Sequence, residues 1–138
     1  MTARLGPSKP CPCQSNKTYG ECCRPFHRGE REPGSAEALM RSRFSAFALS
    51  EIDHLVRTLA SDHEDRGALE EALRASLREV CRTGRFLGLR VLESREDGDT
   101  AIVRFHARVF AGGADRSFEE KSEFRREAGA WRYVGACA

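Results

Sequence analysis

Four of the six cysteines in this 138-residue chain fall within thirteen residues, as Cys11-Pro12-Cys13, eight intervening residues, and Cys22-Cys23. The segment that carries them, residues 1–34, is rich in Gly, Pro, Lys and Arg and nearly devoid of aliphatic side chains. It cannot order itself by burying apolar surface, so a cross-link has to hold it. Adjacent residues lie about 3.8 Å apart at Cα, closer than the lower limit of about 4.4 Å for a disulfide, so Cys22 and Cys23 do not pair with each other. Two tight pairs of soft ligands joined by a short loop suit a tetrahedral Zn²⁺ ion at about 2.3 Å per sulfur. The expectation is a zinc site built from Cys11, Cys13, Cys22 and Cys23. With all four positions filled, the ion has no open site to activate water, and its role is structural or recognitional. Two alternatives stay open: His27 replacing Cys22 or Cys23 to give a Cys₃His set, and four thiols without metal.

From Ser35 onward the chain changes character. Ala36, Leu39, Met40, Phe44 and Phe47 recur at helical spacing, with Ser35 as N-cap. A second helix is expected from Ser50, where Ser50-Glu51-Ile52-Asp53 approximates a capping box ahead of Ile52, Leu55, Val56 and Leu59. A third, over about 68–82, carries Leu69, Leu73, Leu77, Val80 and Cys81 on one face and ends at Gly84. The period then becomes two. Leu87, Leu89 and Val91 alternate with polar or small residues, Asp97-Gly98 reads as a hairpin turn, and Ala101, Val103, Phe105, Ala107 and Val109 form the next apolar face. Gly112-Gly113 and Ala128-Gly129 separate two further strands, Phe118 to Arg125 and Trp131 to Val134. Three helices followed by four strands in meander order predict an α+β fold, with helices packed on the concave face of a curved antiparallel sheet. The chain thus divides into a knuckle, residues 1–34, and an α+β domain, residues 35–138.

Charge and hydropathy narrow the function classes. The net charge is +2 with 32% charged residues of both signs. Four thiolates on one Zn²⁺ contribute a local charge of about minus two, which offsets much of the basic character around the knuckle. A basic face interleaved with an aromatic platform is missing, so a nucleic-acid binder is not indicated. The first ten residues lack the apolar run of a signal peptide, and no segment approaches eighteen consecutive apolar residues. A cytosolic protein without membrane attachment is expected, and in that reducing compartment clustered cysteines serve as metal ligands more often than as disulfides.

Cys11-Pro12-Cys13, Ser15, Lys17, Tyr19 and Cys22-Cys23 resemble the SEC-C zinc motif, named for the C-terminus of the SecA translocation ATPase. Pro25, His27 and Gly29, the run Leu39-Met40-Arg41-Ser42-Arg43-Phe44-Ser45-Ala46-Phe47, and Glu120, Ser122, Phe124, Trp131 and Tyr133 resemble the bacterial YchJ family of uncharacterised proteins. The resemblance implies a SEC-C knuckle followed by a nuclear-transport-factor-2-like (NTF2-like) α+β cone. In the SecA context the motif implies a zinc-stabilised patch that binds protein partners or the ribosome. Lys17, Tyr19, Arg24 and Arg28 are the residues here that would make such contacts.

A second candidate site lies inside the cone. Strand parity places Phe118, Glu120, Ser122 and Phe124 on one side, which puts a carboxylate on the apolar face. A buried Glu needs a partner, and Arg41 or Arg43 of the first helix is expected to turn inward and form a bidentate pair with Glu120. His54 and His63 are assigned to polar segments. No nucleophile–base constellation or phosphate-binding glycine loop is seen, which leans away from an enzyme. Two readings stand. One is a protein-interaction module with structural zinc and an unknown protein partner. The other is a small-molecule-binding protein or enzyme that uses the pocket around Arg41, Arg43, Glu120 and Ser122.

Overall fold

Ser35 lies in extended conformation and its Oγ accepts the Ala38 N–H at 3.0 Å, so the first long helix begins where its N-cap predicts. This is seen in a computed structural model that describes residues 5–67 and 69–137. The helices are α1 (Arg24–His27), α2 (Ala36–Leu49), α3 (Ile52–Arg57) and α4 (Glu70–Thr83), with 3-10 turns at Tyr19–Glu21 and Glu64–Gly67. The strands are β1 (Gly84–Asp97), β2 (Thr100–Ala111), β3 (Ala114–Asp115), β4 (Phe118–Glu127) and β5 (Ala130–Ala136). Ala68, where the third expected helix would start, and Ala138, the end of the expected domain, lie outside the described residues, as do residues 1–4 of the expected knuckle.

Two helix expectations need correcting. Ser50 does not cap the second helix. It sits in the left-handed region (φ 61°, ψ 40°) and closes α2, its N–H bonding the Ala46 carbonyl, while α3 is a short turn beginning at Ile52. Leu69 precedes α4 and is 80% exposed, and Val80 is 45% exposed, so the buried stripe of α4 is Leu73 and Cys81 with Leu77 beside them.

The sheet runs β1-β2-β4-β5, all antiparallel, with β3 paired to β2. The β1–β2 hairpin closes one residue later than expected. Asp97 pairs with Thr100, and Gly98, at φ 62°, opens the two-residue turn. On β2, Ala101, Val103, Phe105, Ala107 and Val109 are buried as the alternation requires. On β1 the alternation fails because two bulges interrupt the ladder, between Phe86 and Gly88 and between Val91 and Glu93. The first throws Leu87 outward and turns the Phe86 ring against Phe44 and Phe47. Bulges also bend a strand, and two of them in one long edge strand curve the sheet around the helices.

Helix α2 lies across the concave face, touching β1, β2 and β5. The chain after α3 covers the far edge of the sheet: Tyr133 N–H bonds Thr58 O and Ala60 N–H bonds Tyr133 O, both at 2.8 Å. Cys11, Cys13, Tyr19 and Cys23 belong to the same cluster of buried residues as Leu39, Phe44, Val103, Phe105, Phe124 and Trp131. The cysteine-rich segment is therefore docked onto the domain core. None of the described helices is long and apolar enough to cross a membrane.

Candidate metal centre and ligand cavity

The cysteine loop is shaped by its backbone. Cys11 N–H bonds Lys17 O at 3.0 Å and Tyr19 N–H bonds Lys9 O at 2.8 Å, closing a small hairpin whose tip turns through Gln14 (φ 62°) and Asn16 (φ 70°). The 3-10 turn then delivers Cys22 and Cys23 back to the first pair. The four sulfurs all lie within 4.8 Å of one another, with Cys13–Cys22 at 3.6 Å and Cys22–Cys23 at 3.8 Å, and none is in a disulfide. A tetrahedral thiolate site with bonds of about 2.3 Å has sulfur–sulfur edges of about 3.8 Å. The cluster therefore has the dimensions to hold a metal ion. Hydrogen bonding among the four splits them: that with Cys11 lowers the Cys13 and Cys22 thiols, Cys22 to about 6, and raises Cys23, while that with Cys13 raises Cys11. Cys11, Cys13 and Cys23 are buried, and Ser15 Oγ lies 3.2 Å from the half-buried Cys22 sulfur.

His27 is not part of this set. Its Nδ1 accepts a hydrogen bond from the Tyr19 hydroxyl at 2.7 Å and its Nε2–H donates to Ser42 O at 2.8 Å and Ser45 Oγ at 3.1 Å, so both ring nitrogens are committed. The Ser42 carbonyl can only accept, which fixes the proton on Nε2. Ser42 Oγ donates to Leu39 O and accepts from His54 Nε2–H at 2.8 Å, while Arg57 Nη2 donates to His54 Nδ1 at 3.1 Å and Phe26 O at 2.9 Å. A buried chain of polar groups thus joins the knuckle to α2 and α3. Burial pushes His27 down to about 4 and His54 to about 2, so both rings are neutral. His54, assigned to a polar segment, is in fact 1% exposed and part of the buried interior.

The run Leu39 to Phe47 owes its composition to α2 lying between two sites. Arg41 faces the knuckle: Nη1 donates to Cys13 O at 2.9 Å and Nε pairs with Glu37 at 3.0 Å. Ser42 and Ser45 bind the histidines. Met40, Arg43, Phe44 and Phe47 face the other way, into a cavity of about 260 Å³ between α2, α4 and the sheet. Aromatic rings wall it, Phe86, Phe105, Phe118, Phe124 and Tyr133 among them, and the exposed Val80 and Phe118 mark its rim.

The cavity's polar groups sit together. Glu120 Oε2 accepts from Ser122 Oγ and from Tyr133 OH at 3.0 Å. Burial, then the Glu120 charge, raise Tyr133 to about 12, so it remains a donor. Arg43 donates through Nη1 to Leu55 O at 2.9 Å and Thr58 Oγ1 at 2.7 Å, with its Cζ 4.7 Å from the Tyr133 ring centroid. The bidentate Arg–Glu120 pair is not formed among the described residues. Arg41 points to the knuckle, and Arg43 donates to Leu55 and Thr58 while stacked on the Tyr133 ring, whose hydroxyl bonds Glu120. Of the four cavity residues expected, Arg43, Glu120 and Ser122 line it and Arg41 does not.

The expected partner-contact residues also divide. Lys17 and Arg28 are exposed, Arg28 lying 3.5 Å from Glu30, and Arg24 is half-buried. Tyr19 is 4% exposed with its hydroxyl bonded to His27, so it braces the interior and presents no surface. Sequence reasoning missed His54, Ser45 and Arg57. The available signal was the Ser42/Ser45 spacing on one helix face, which marks a polar patch needing buried partners.

Comparison with known proteins agrees with this architecture. Residues 35–136 match the family described as YchJ, middle NTF2-like domain, and residues 8–25 match the SEC-C motif. A UPF0225 protein of Deinococcus radiodurans is 38% identical over 131 residues, 94% of this chain and 90% of that protein. The solution structure of a SEC-C motif containing protein from Rhodopseudomonas palustris superposes with a TM-score of 0.81 at 40% identity, covering 93% of this chain and 97% of the other. The crystal structure of a SEC-C motif containing protein from Psychrobacter arcticus shares the fold with a TM-score of 0.79 at 24% identity, over 95% and 83% of the two chains. With a cysteine knuckle docked on an α+β cone, and a family match over most of its length, this chain belongs to the YchJ family of SEC-C, NTF2-like proteins.

Proposed function

We propose that this protein binds a small molecule in the cone, and that its cysteine cluster holds a structural zinc ion that fixes the helix forming the cavity wall. The observation that carries the reading is the cavity itself: an aromatic-lined space of about 260 Å³ whose polar groups, Glu120, Ser122, Tyr133 and Arg43, converge at one place. Four soft thiolates with no vacant position favour zinc as a cross-link. Cys11, Cys13, Cys22 and Cys23 would hold it, and the ion supplies the closure that so few aliphatic side chains cannot. Arg41 ties that closure to α2 through the Cys13 carbonyl, and the His27–Ser42–His54 chain ties it to α2 and α3. Arg43, Phe44 and Phe47 on the opposite side of α2 are thereby held against the cavity. The test is binding of a fluorescent apolar probe together with metal analysis. Wild-type protein is expected to carry about one zinc per chain and to bind the probe. Ala107→Phe, which fills the cavity, should keep the zinc and lose the probe. Probe binding unchanged by Ala107→Phe would refute the reading.

A second reading, a protein-interaction module, is favoured by the surface beside the metal centre. Cys22 is the one cluster thiol that is not buried, and it opens on a cleft of about 450 Å³ lined by Lys17, Arg31 and Arg41 together with Glu21 and Glu37. A partner that offers both hydrogen-bond donors and acidic groups would suit so mixed a lining. A cytosolic partner lost on Cys22→Ser but retained on Glu120→Gln supports this second reading.

A further inference from the structure

Within the cavity, two polar groups have capacity left over. Glu120 Oε2 takes both protein donors, Ser122 and Tyr133, while Oε1 accepts no hydrogen bond from the described residues. Arg43 uses only Nη1 on Leu55 and Thr58, and no buried side-chain nitrogen or oxygen lacks a partner. Its Nε and Nη2, which have no protein partner among the described residues, are therefore accessible, and Arg43 lines the cavity. The cavity thus offers a carboxylate acceptor and, stacked on the Tyr133 ring, a guanidinium donor.

Charge decides what kind of molecule this suits. The guanidinium and the carboxylate already balance each other in a space walled mainly by phenylalanines. An ionic ligand would bring a further charge into a half-open, mainly apolar cavity without a net counter-charge, which is unfavourable. An uncharged ligand avoids that cost and can still donate to the carboxylate, the stronger kind of hydrogen bond. Size sets a second limit. An apolar cavity of about 150 Å³ takes one benzene ring, so the volume here, about 260 Å³, suits about two rings. Flat rings also match walls made of Phe44, Phe86, Phe105 and Phe124.

Resting on the reading of the cone as a ligand site, we infer that its ligand is an uncharged aromatic molecule of about two rings bearing a hydroxyl that donates to Glu120 Oε1. The experiment measures binding of naphthalene, 2-naphthol and 2-naphthoate to the zinc-loaded full chain, in wild type, Glu120→Gln and Glu120→Leu, with thermal unfolding to verify each fold. Wild type should bind 2-naphthol at least about tenfold more tightly than either of the others, the advantage of a hydrogen bond to a charged acceptor. In Glu120→Leu that preference over naphthalene should fall below about threefold, naphthalene binding itself being kept; Glu120→Gln, which retains an acceptor without charge, should fall between. Equal affinities for naphthalene and 2-naphthol, a preference for 2-naphthoate, or a preference for 2-naphthol that survives in both variants overturns the assignment of ligand class while leaving the ligand site intact. Failure of all three probes to bind the folded wild-type protein overturns both.

Discussion

Lowering the pH from 7 to 5 should remove a large and calculable part of this protein's stability, because two buried histidines are held neutral. Burial depresses His27 to about 4 and His54 to about 2, against an ordinary value of 6.5. Between pH 7 and 5 the folded rings therefore stay unprotonated, while the same residues in the unfolded chain take up protons around their ordinary value. The unfolded state binds more protons, so stability rises with pH and is lost as pH falls through about 6.5. For each ring the loss by pH 5 is about 2 kcal/mol, or about 4 kcal/mol for the pair, out of a total of typically 5–15 kcal/mol. The figure depends on the unfolded value and is insensitive to the folded ones, provided these stay below about 5. Urea unfolding of the zinc-loaded protein at the two pH values measures the loss, and His54→Gln isolates the contribution of one ring. Protonation of the cysteine cluster contributes equally to both proteins and cancels in the comparison. The variant should lose about 2 kcal/mol less than wild type on going from pH 7 to 5. Equal losses would refute the claim that His54 is buried and neutral.

Two further outcomes follow from contacts between the knuckle and the domain. Arg41→Ala removes the donor to the Cys13 carbonyl, and metal retention measured by chelator competition should weaken about tenfold, as for other outer-shell contacts; unchanged retention would show that Arg41 does not support the site. In Gly88→Ala the new Cβ would stand 3.0 Å from Gln14 Oε1, which accepts the Leu89 N–H at 2.8 Å. The flexible amide must withdraw and leave that N–H without its partner, at about 1–3 kcal/mol. The entropic gain of replacing glycine offsets about 0.5–1 kcal/mol of this. Net destabilisation of about 1 kcal/mol in denaturant melts is expected, and a stabilised variant would mean the Gln14 contact is dispensable.

Helix α2 links these effects. Its successive residues serve different neighbours: Arg41 the cysteine loop, Ser42 and Ser45 the histidines, Arg43 and Phe44 the cavity. The cysteine cluster and the cavity wall thus lie on opposite sides of the same helix.

Periodicity and turn chemistry alone determined the element order, the Ser35 cap, the inward face of β2 and the placing of Glu120 and Ser122 on the inner face of β4, because each rests on interactions within a few residues. The gathering of Cys11, Cys13, Cys22 and Cys23 into one cluster able to hold a metal was legible for the same reason: soft ligands at tight spacing in a segment without a core of its own. The bulges of β1 were not legible, since a bulge is a property of two strands and nothing within Phe86 to Val91 declares which residue goes unpaired. The roles of His27, His54 and Arg43 were hidden for a related reason. A histidine is a metal ligand, a surface residue or a buried neutral ring according to what packs on it, and here residues fifteen positions apart, His27 and Ser42, commit its proton. Arg43 reached Leu55 and Thr58 in place of Glu120, and the last strand brought in Tyr133, whose ring takes the guanidinium and whose hydroxyl takes the carboxylate. Local sequence determined which groups face inward. Only the tertiary structure decided how they pair, because a buried polar group is satisfied by whichever donor or acceptor the fold brings within about 3 Å.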